Sequence, residues 1–365
     1  MNIYLDNNIA TKMAPEVFET MRPYFTEHYG LAEGLHQASI DTHQGIQKAI
    51  GQIYNALGAK DSDTIYLTSG QNESNTTLIN SVYNSIIRKS DKNHVITTEV
   101  EHPSILKTLH YLETEHGIEV TYLPINDNGL VEAHTIKSFI TKKTALITTM
   151  VANQSSGAIL PVKEIAQIAK ENDVIYHVDA TYAIGKMILN VQELGVDYLT
   201  IDGSVLHGAK GSGALFVKDG RKLEPLFIVP NPINTPSLVS FGKACEMAIA
   251  FLGVTNTRVR KLRDKLQNAL LDLDDILVVA NHEQRVPNLL TFIAKDANSE
   301  SILFDLNNDG IFASLQPLNI KHYEATLGVS FSLSRYNTED EIDVVIDSLI
   351  RSIKRLRQIA PKNIV

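Results

Sequence analysis

Short β-branched runs alternate with helical patterns through most of the chain, and this alternation limits the fold more than any other feature. Residues 64–67, 94–98, 119–123, 145–151, 174–178, 198–201 and 214–217 have strand character. Between them, 72–87, 104–116, 131–140 and 162–172 carry apolar residues at helical spacing. Parallel strands cannot be joined by a tight turn, so helices between strands mark crossover units. The pattern predicts an α/β fold built on a seven-stranded, mostly parallel sheet. Two helices, 15–28 and 42–57, precede this block, the first opening on a proline whose missing N–H costs nothing there.

The texture changes after Val217. Four prolines between 225 and 236 read as a crossover, followed by a long helix over 237–273 interrupted near Gly253. Strand-like segments at 276–280, 288–293, 311–313 and 328–333 lead to a last helix, 339–359, and a frayed tail after Pro361. The expected organisation is a large domain over 15–235 and a smaller α+β domain formed by 1–14 and 236–365.

Composition excludes several classes of function. Lys and Arg number 33 against 42 Asp and Glu, a net charge of −9, and no basic cluster is present. Such a chain is poorly suited to a phosphate backbone, so no nucleic acid is expected. The single cysteine, Cys245, rules out an intramolecular disulfide and a cysteine-based zinc site. No run approaches the length of a membrane span, and Met1 to Met13 lacks the basic and apolar regions of a signal peptide. A cytoplasmic protein without a membrane partner is expected.

Four places bring chemistry-bearing residues to strand ends. Thr68-Ser69-Gly70-Gln71-Asn72-Glu73-Ser74-Asn75 lies where a strand meets a helix. Free N–H groups at a helix start can cradle phosphate, and the same residues are also a capping signature. His102 follows the next strand, above the sheet edge where open α/β folds bind ligands. His177 and Asp179 share one strand face, which suits a metal pair or a carboxylate facing a heterocycle nitrogen. Arg335, near the end of the chain, has the fork that binds carboxylates, or a surface ion pair.

Order and spacing give these places weight. Tyr4-Leu5-Asp6-Asn7-Asn8, Thr68-Ser69-Gly70, Glu73-Ser74-Asn75, Thr97 to Pro103, Tyr122-Leu123-Pro124, His177-Val178-Asp179-Ala180, Lys210 to Leu215 and Arg335-Tyr336-Asn337-Thr338 occur in series. The series resembles the NifS/IscS-type cysteine desulfurases of the class V aminotransferase group, which have the type I fold of pyridoxal phosphate enzymes. The resemblance implies that Ser69, Gly70, Gln71 and Asn72 line a phosphate cup. It further implies that His102 stacks on the cofactor ring, Asp179 faces the ring nitrogen and Arg335 holds the substrate carboxylate. Asn153, Tyr182 and Ser204 fall at further cofactor positions, with Tyr182 where the family usually has glutamine. A homodimer is implied as well.

Three departures set this chain apart from that family. The family carries Ser-x-His-Lys before a Gly-Pro-Lys-Gly turn, and its lysine forms the Schiff base with pyridoxal phosphate. Here the chain reads Asp202-Gly203-Ser204-Val205, so Val205 stands at the lysine position and offers no amine. Lys210 matches the second lysine, in the turn. The family's cysteine loop follows a Gly-Ile strand, but here Gly310 to Ser314 runs directly into Leu315-Gln316-Pro317. Cys245 lies instead in an amphipathic helix and reads as a small buried hydrophobe. The Gly-rich phosphate-closing segment has no room between Phe227 and Phe241.

The expected role is therefore that of a catalytically impaired desulfurase-like protein with no catalytic residue of its own. It would act with an iron–sulfur scaffold protein or an active desulfurase paralogue, and bind pyridoxal phosphate only non-covalently if at all. The alternatives are a pyridoxal phosphate enzyme with a non-standard site, and metal-assisted hydrolysis through His177, Asp179 or His207.

Overall fold

The computed structural model describes residues 2–126, 130–225, 233–281, 284–318 and 326–360. Its centre is a seven-stranded sheet of β2 (Thr64–Thr68), β3 (His94–Thr98), β4 (Glu119–Leu123), β5 (Thr144–Met150), β6 (Ile175–Asp179), β7 (Tyr198–Asp202) and β8 (Gly213–Val217). The spatial order is β2-β8-β7-β6-β5-β3-β4, with β8 antiparallel to both neighbours and the remaining pairs parallel. Residues alternate between two cores along each strand, as a period of two requires. Ile96, Ile147, Tyr176, Leu199 and Phe216 enter one core, and Val95, Leu146, Ile175, Tyr198 and Leu215 enter the other. Helices therefore cover both faces, the usual setting of a largely parallel sheet.

The first of those cores includes the seam between the helices Gln37–Leu57 and Thr235–Ala250. A Cβ at Gly242 would lie 2.6 Å from the Ala49 Cα, so only glycine permits this approach. The 225–236 crossover falls mostly on residues 226–232, outside the described residues, as does the tail after Ala360. The helix beyond it starts at Thr235, with Pro236 in its first turn.

A four-stranded antiparallel sheet follows, in the order β12 (Ser314–Leu318), β13 (Thr326–Ser332), β10 (Leu289–Ala294) and β9 (Ile276–Val278). The chain start joins it: β1 (Ile3–Tyr4) pairs in parallel with β11 (Ile311–Phe312), and Ile3 and Leu5 enter the same core as Phe292, Phe331 and Leu349. Only Ala313 separates β11 from β12, so the chain turns from one strand to the next with no loop between them. The last helix, Glu339–Ile359, opens with a reciprocal Thr338–Glu341 capping box and three acidic residues in its first turn.

Two expected helices differ in outline. The 15–28 helix is two, Pro15–Met21 and Pro23–Thr26, because Pro23 has no N–H to continue the first and restarts the second. The 237–273 helix bends by 53° between Thr235–Ala250 and Leu252–Leu271, with a π turn over Thr255–Val259.

Candidate functional site

The C-terminal ends of β2, β3, β6 and β7 deliver Ser69-Gly70, His102, Asp179 and Asp202 to one edge of the large sheet. At the start of the helix Gln71–Ser85, Gly70 has φ +136°, outside the range of ordinary side chains. A Cβ at Gly70 would also lie 2.5 Å from Asp202 Oδ2. The cup at this helix start is filled by the chain itself. The Gln71 backbone N–H donates to Asp202 Oδ2 at 2.8 Å, the Ser69 N–H to Glu73 Oε2 at 2.8 Å, and the Gly70 N–H to Thr68 Oγ1 at 3.3 Å. These are capping bonds, so two carboxylates and a hydroxyl of the chain hold the donors that a phosphate would need. Asp202 is fixed further by the Ser204 N–H and Oγ, both donating to its Oδ1, at 2.7 and 2.6 Å.

Asp179 is buried and equally engaged. Its Oδ2 accepts from Gln71 Nε2 and from Asn75 Nδ2, both at 2.7 Å, and its Oδ1 accepts from the Thr181 N–H at 3.0 Å. Gln71 thus spans the site, with its backbone on Asp202 and its side chain on Asp179, while Asn72 is exposed. His102 caps the helix Pro103–His116 through Nδ1, which accepts from the Ser104 N–H and lies 2.8 Å from Ser104 Oγ; burial lowers its pKa. Tyr182 is pushed up by burial beside Asp179 and Asp202. Asn153 holds its own turn: its Oδ1 accepts from the Ser155 N–H, the Ser156 N–H and Ser156 Oγ.

The metal reading of His177 is corrected by its partners. Nδ1 lies 2.8 Å from Thr148 Oγ1 and Nε2 3.0 Å from Thr200 Oγ1, inside the sheet, and burial lowers the pKa to about 4. No cluster of three or more His, Cys, Asp or Glu side chains suited to a metal occurs among the described residues.

Val205 is buried and lines a cavity of about 50 Å³. Asn7, Lys186, His207, Asn288 and Arg335 line it too, but Ser69, His102, Asp179 and Asp202 do not. Arg335 is held between the rings of Phe251 and Tyr336, at 4.8 and 4.9 Å, and donates to the Tyr336 hydroxyl at 3.1 Å. Lys210 is exposed in the turn before β8. Cys245 is fully buried, and burial raises its thiol pKa, so the thiolate is suppressed.

Sequence reasoning missed Lys186, which follows Gly185 in an apolar stretch, and the role of Asp202. Apolar neighbours on both sides of Lys186, Ile184 and Met187, were the available signal.

A family model for aminotransferase class-V matches residues 3–238. A cysteine desulfurase of Trichormus azollae is 35% identical over 98% of this chain and 94% of its own length. The cysteine desulfurase IscS of Dictyoglomus turgidum is 34% identical over 98% and 96%. The chain belongs to the class-V aminotransferase family, among the NifS/IscS-like cysteine desulfurases. A solved structure of a NifS-like protein superposes with TM-score 0.89 at 28% identity, covering 98% of this chain and 99% of that one.

That family depends on pyridoxal phosphate, and three features of this member do not fit the cofactor. Asp202 puts a carboxylate against the Gln71 N–H, at the helix start where the resemblance implies a phosphate cup. Gln71 and Asn75 take both bonds that Asp179 Oδ2 can accept. Val205 has no amine to offer.

Proposed function

We propose that this chain is a cytoplasmic NifS/IscS-like protein that does not desulfurate cysteine and acts as a partner or regulator in sulfur transfer or iron–sulfur assembly. The observation that carries the reading is the Asp202–Gln71–Asp179 bridge, 2.8 and 2.7 Å, by which the chain closes its own cofactor site. The buried Cys245 and the one-residue link between β11 and β12 support it, since neither supplies a mobile thiol. Phe18, Phe25, Tyr29, Leu31 and Leu35 are exposed along one N-terminal stretch, Leu35 at 98%. Apolar exposure of this kind supports a protein interface, and a homodimer is the form proposed.

With cysteine and pyridoxal phosphate, the purified chain is expected to release no sulfide above a protein-free control. Added to an active NifS-type desulfurase or an iron–sulfur scaffold protein, it is expected to co-elute or to change the rate of sulfide release. Sulfide production by the chain itself, dependent on pyridoxal phosphate, would overturn the proposal. A second reading, an enzyme with a non-standard site, draws on one observation, the buried amine of Lys186.

A further inference from the structure

Glu101, beside His102 in the turn after β3, is a buried acid that the proposed role does not use; it is 2% exposed. Its Oε1 accepts from Thr98 Oγ1 at 2.7 Å and from the Met150 N–H, at the end of β5, at 3.0 Å. Its Oε2 is fully buried and finds no hydrogen-bond partner among the described residues. Met150 is in register with Asp179, and β5 lies between β3 and β6. Glu101 and Asp179 therefore approach the end of β5 from its two sides. From β6, Glu101 also faces the Tyr176 hydroxyl, which pairs with Thr149 Oγ1 at 2.8 Å. The adjacent His102 is kept neutral by burial, and no lysine or arginine acts on Glu101 among the described residues.

Two carboxylates facing each other in a buried setting cannot both ionise without a large cost. Asp179 takes the charge because three N–H groups donate to it, against one N–H and one hydroxyl for Glu101. Glu101 is therefore the member of the pair that keeps its proton.

We propose that Glu101 is a proton-operated latch: protonated, it ties the end of β3 to β5, and on losing its proton it turns out to water and opens the turn that carries His102. The step releases one proton to solvent, and no covalent bond of the chain changes. The Val100 carbonyl oxygen accepts from Asn153 Nδ2 at 3.3 Å, so the opening turn lets go of Asn153 as well. Further along that loop, Thr291 Oγ1 donates to the Ser155 carbonyl oxygen at 2.6 Å and the Val286 N–H to the Gly157 carbonyl oxygen at 2.9 Å. These bonds stay made, which confines the opening to the turn and Asn153. The latch operates whether or not the chain serves in sulfur transfer, so the two readings fail separately.

The direction with pH follows from burial, which holds the closed acid at about 8 against 4.5 for the same group in water. Only the closed state binds the proton tightly. Closure is strongest below 4.5 and weakens as pH rises to about 8. Within that window the open fraction rises about tenfold per pH unit, and above it the rise levels off.

The test is amide hydrogen exchange of the full chain at a series of pH values, corrected for base catalysis of the exchange itself. Between about pH 6 and about pH 8 the corrected rate at the Met150 N–H is expected to rise about a hundredfold and then level. The Val286 N–H should not change. Glu101→Gln keeps an Oε1 acceptor but cannot ionise, and should make the Met150 profile flat. An infrared titration of the wild type keeps the test open if that variant does not fold. A protonated carboxylic-acid band present near pH 7 is expected to fade through about pH 8. A flat Met150 profile in the wild type, or an equal rise in Glu101→Gln, would overturn the proposal. So would a parallel rise at Val286, which would show general loosening, or the absence of the acid band near pH 7.

Discussion

Replacing Asp202 with serine and Gln71 with alanine together is expected to raise the affinity of this chain for pyridoxal phosphate at least about a hundredfold. Two physical changes add. The Asp202 carboxylate leaves the Gly70 cup, and the backbone N–H at position 71 becomes free to donate to a phosphate oxygen. The side-chain amide at 71 leaves Asp179 Oδ2, which regains an open lone pair for a protonated heterocycle nitrogen. Serine at 202 keeps a side-chain oxygen for the Ser204 N–H, so the turn that Asp202 caps should lose no more than about 1 kcal/mol. Asp202→Asn separates the causes: it removes charge but keeps bulk. Affinities from fluorescence titration that stay at the wild-type level in the double variant would show that the bridge is not what closes the site.

Lys186→Met is expected to stabilise the protein by about 3 kcal/mol at pH 7, a rise of several degrees in Tm. A lysine whose pKa falls from 10.5 in the unfolded chain to about 8 when folded binds its proton less tightly in the native state. At each pH below 8 the wild type therefore carries the full cost of that buried charge. Its stability climbs as pH rises from about 8 to 10.5, where the unfolded chain releases the same proton, and the variant's advantage vanishes above that window. Denaturant unfolding at pH 7 and again near pH 11 reads the difference. A variant less stable than wild type at pH 7 would mean that Lys186 has a partner that compensates its charge.

Much of the fold is legible in the sequence because its strands are short, β-branched and separated by helical periodicity. All seven strands of the large sheet lie where that pattern puts them, with end points shifted by no more than a residue or so. The β12 strand escapes the pattern because Pro317 breaks a reading that excludes proline from sheets. In the structure Pro317 lies opposite Leu327 on the outermost strand, where a missing N–H leaves no ladder bond unmade. The helix Gln37–Leu57 starts five residues before the expected 42, its opening residues including polar Gln37, Ser39 and Asp41. The strand-end positions of His102, Asp179 and Arg335 are readable for the same reason as the strands. Their partners are not. The bond from the Gln71 N–H to Asp202 spans 131 positions, and local spacing holds no trace of it. Lys186 lines a cavity together with Ala248, Phe251 and Leu333, all distant in the chain, so its apolar neighbours Ile184 and Met187 are the only local hint of its burial.

Sheet edges of this kind collect ligands because several strands end together and helices begin there with free N–H groups. In this chain the same edge is spent on internal bonds from Asp202, Gln71, Asn75 and Asp179. The most direct test of that account is an absorption spectrum of the purified protein titrated with pyridoxal phosphate, repeated after borohydride reduction and desalting. The account predicts the spectrum of free cofactor, with nothing retained beyond scattered surface labelling. A visible band that becomes stoichiometrically and permanently attached to one lysine on reduction, whether Lys210 or Lys186, would contradict it.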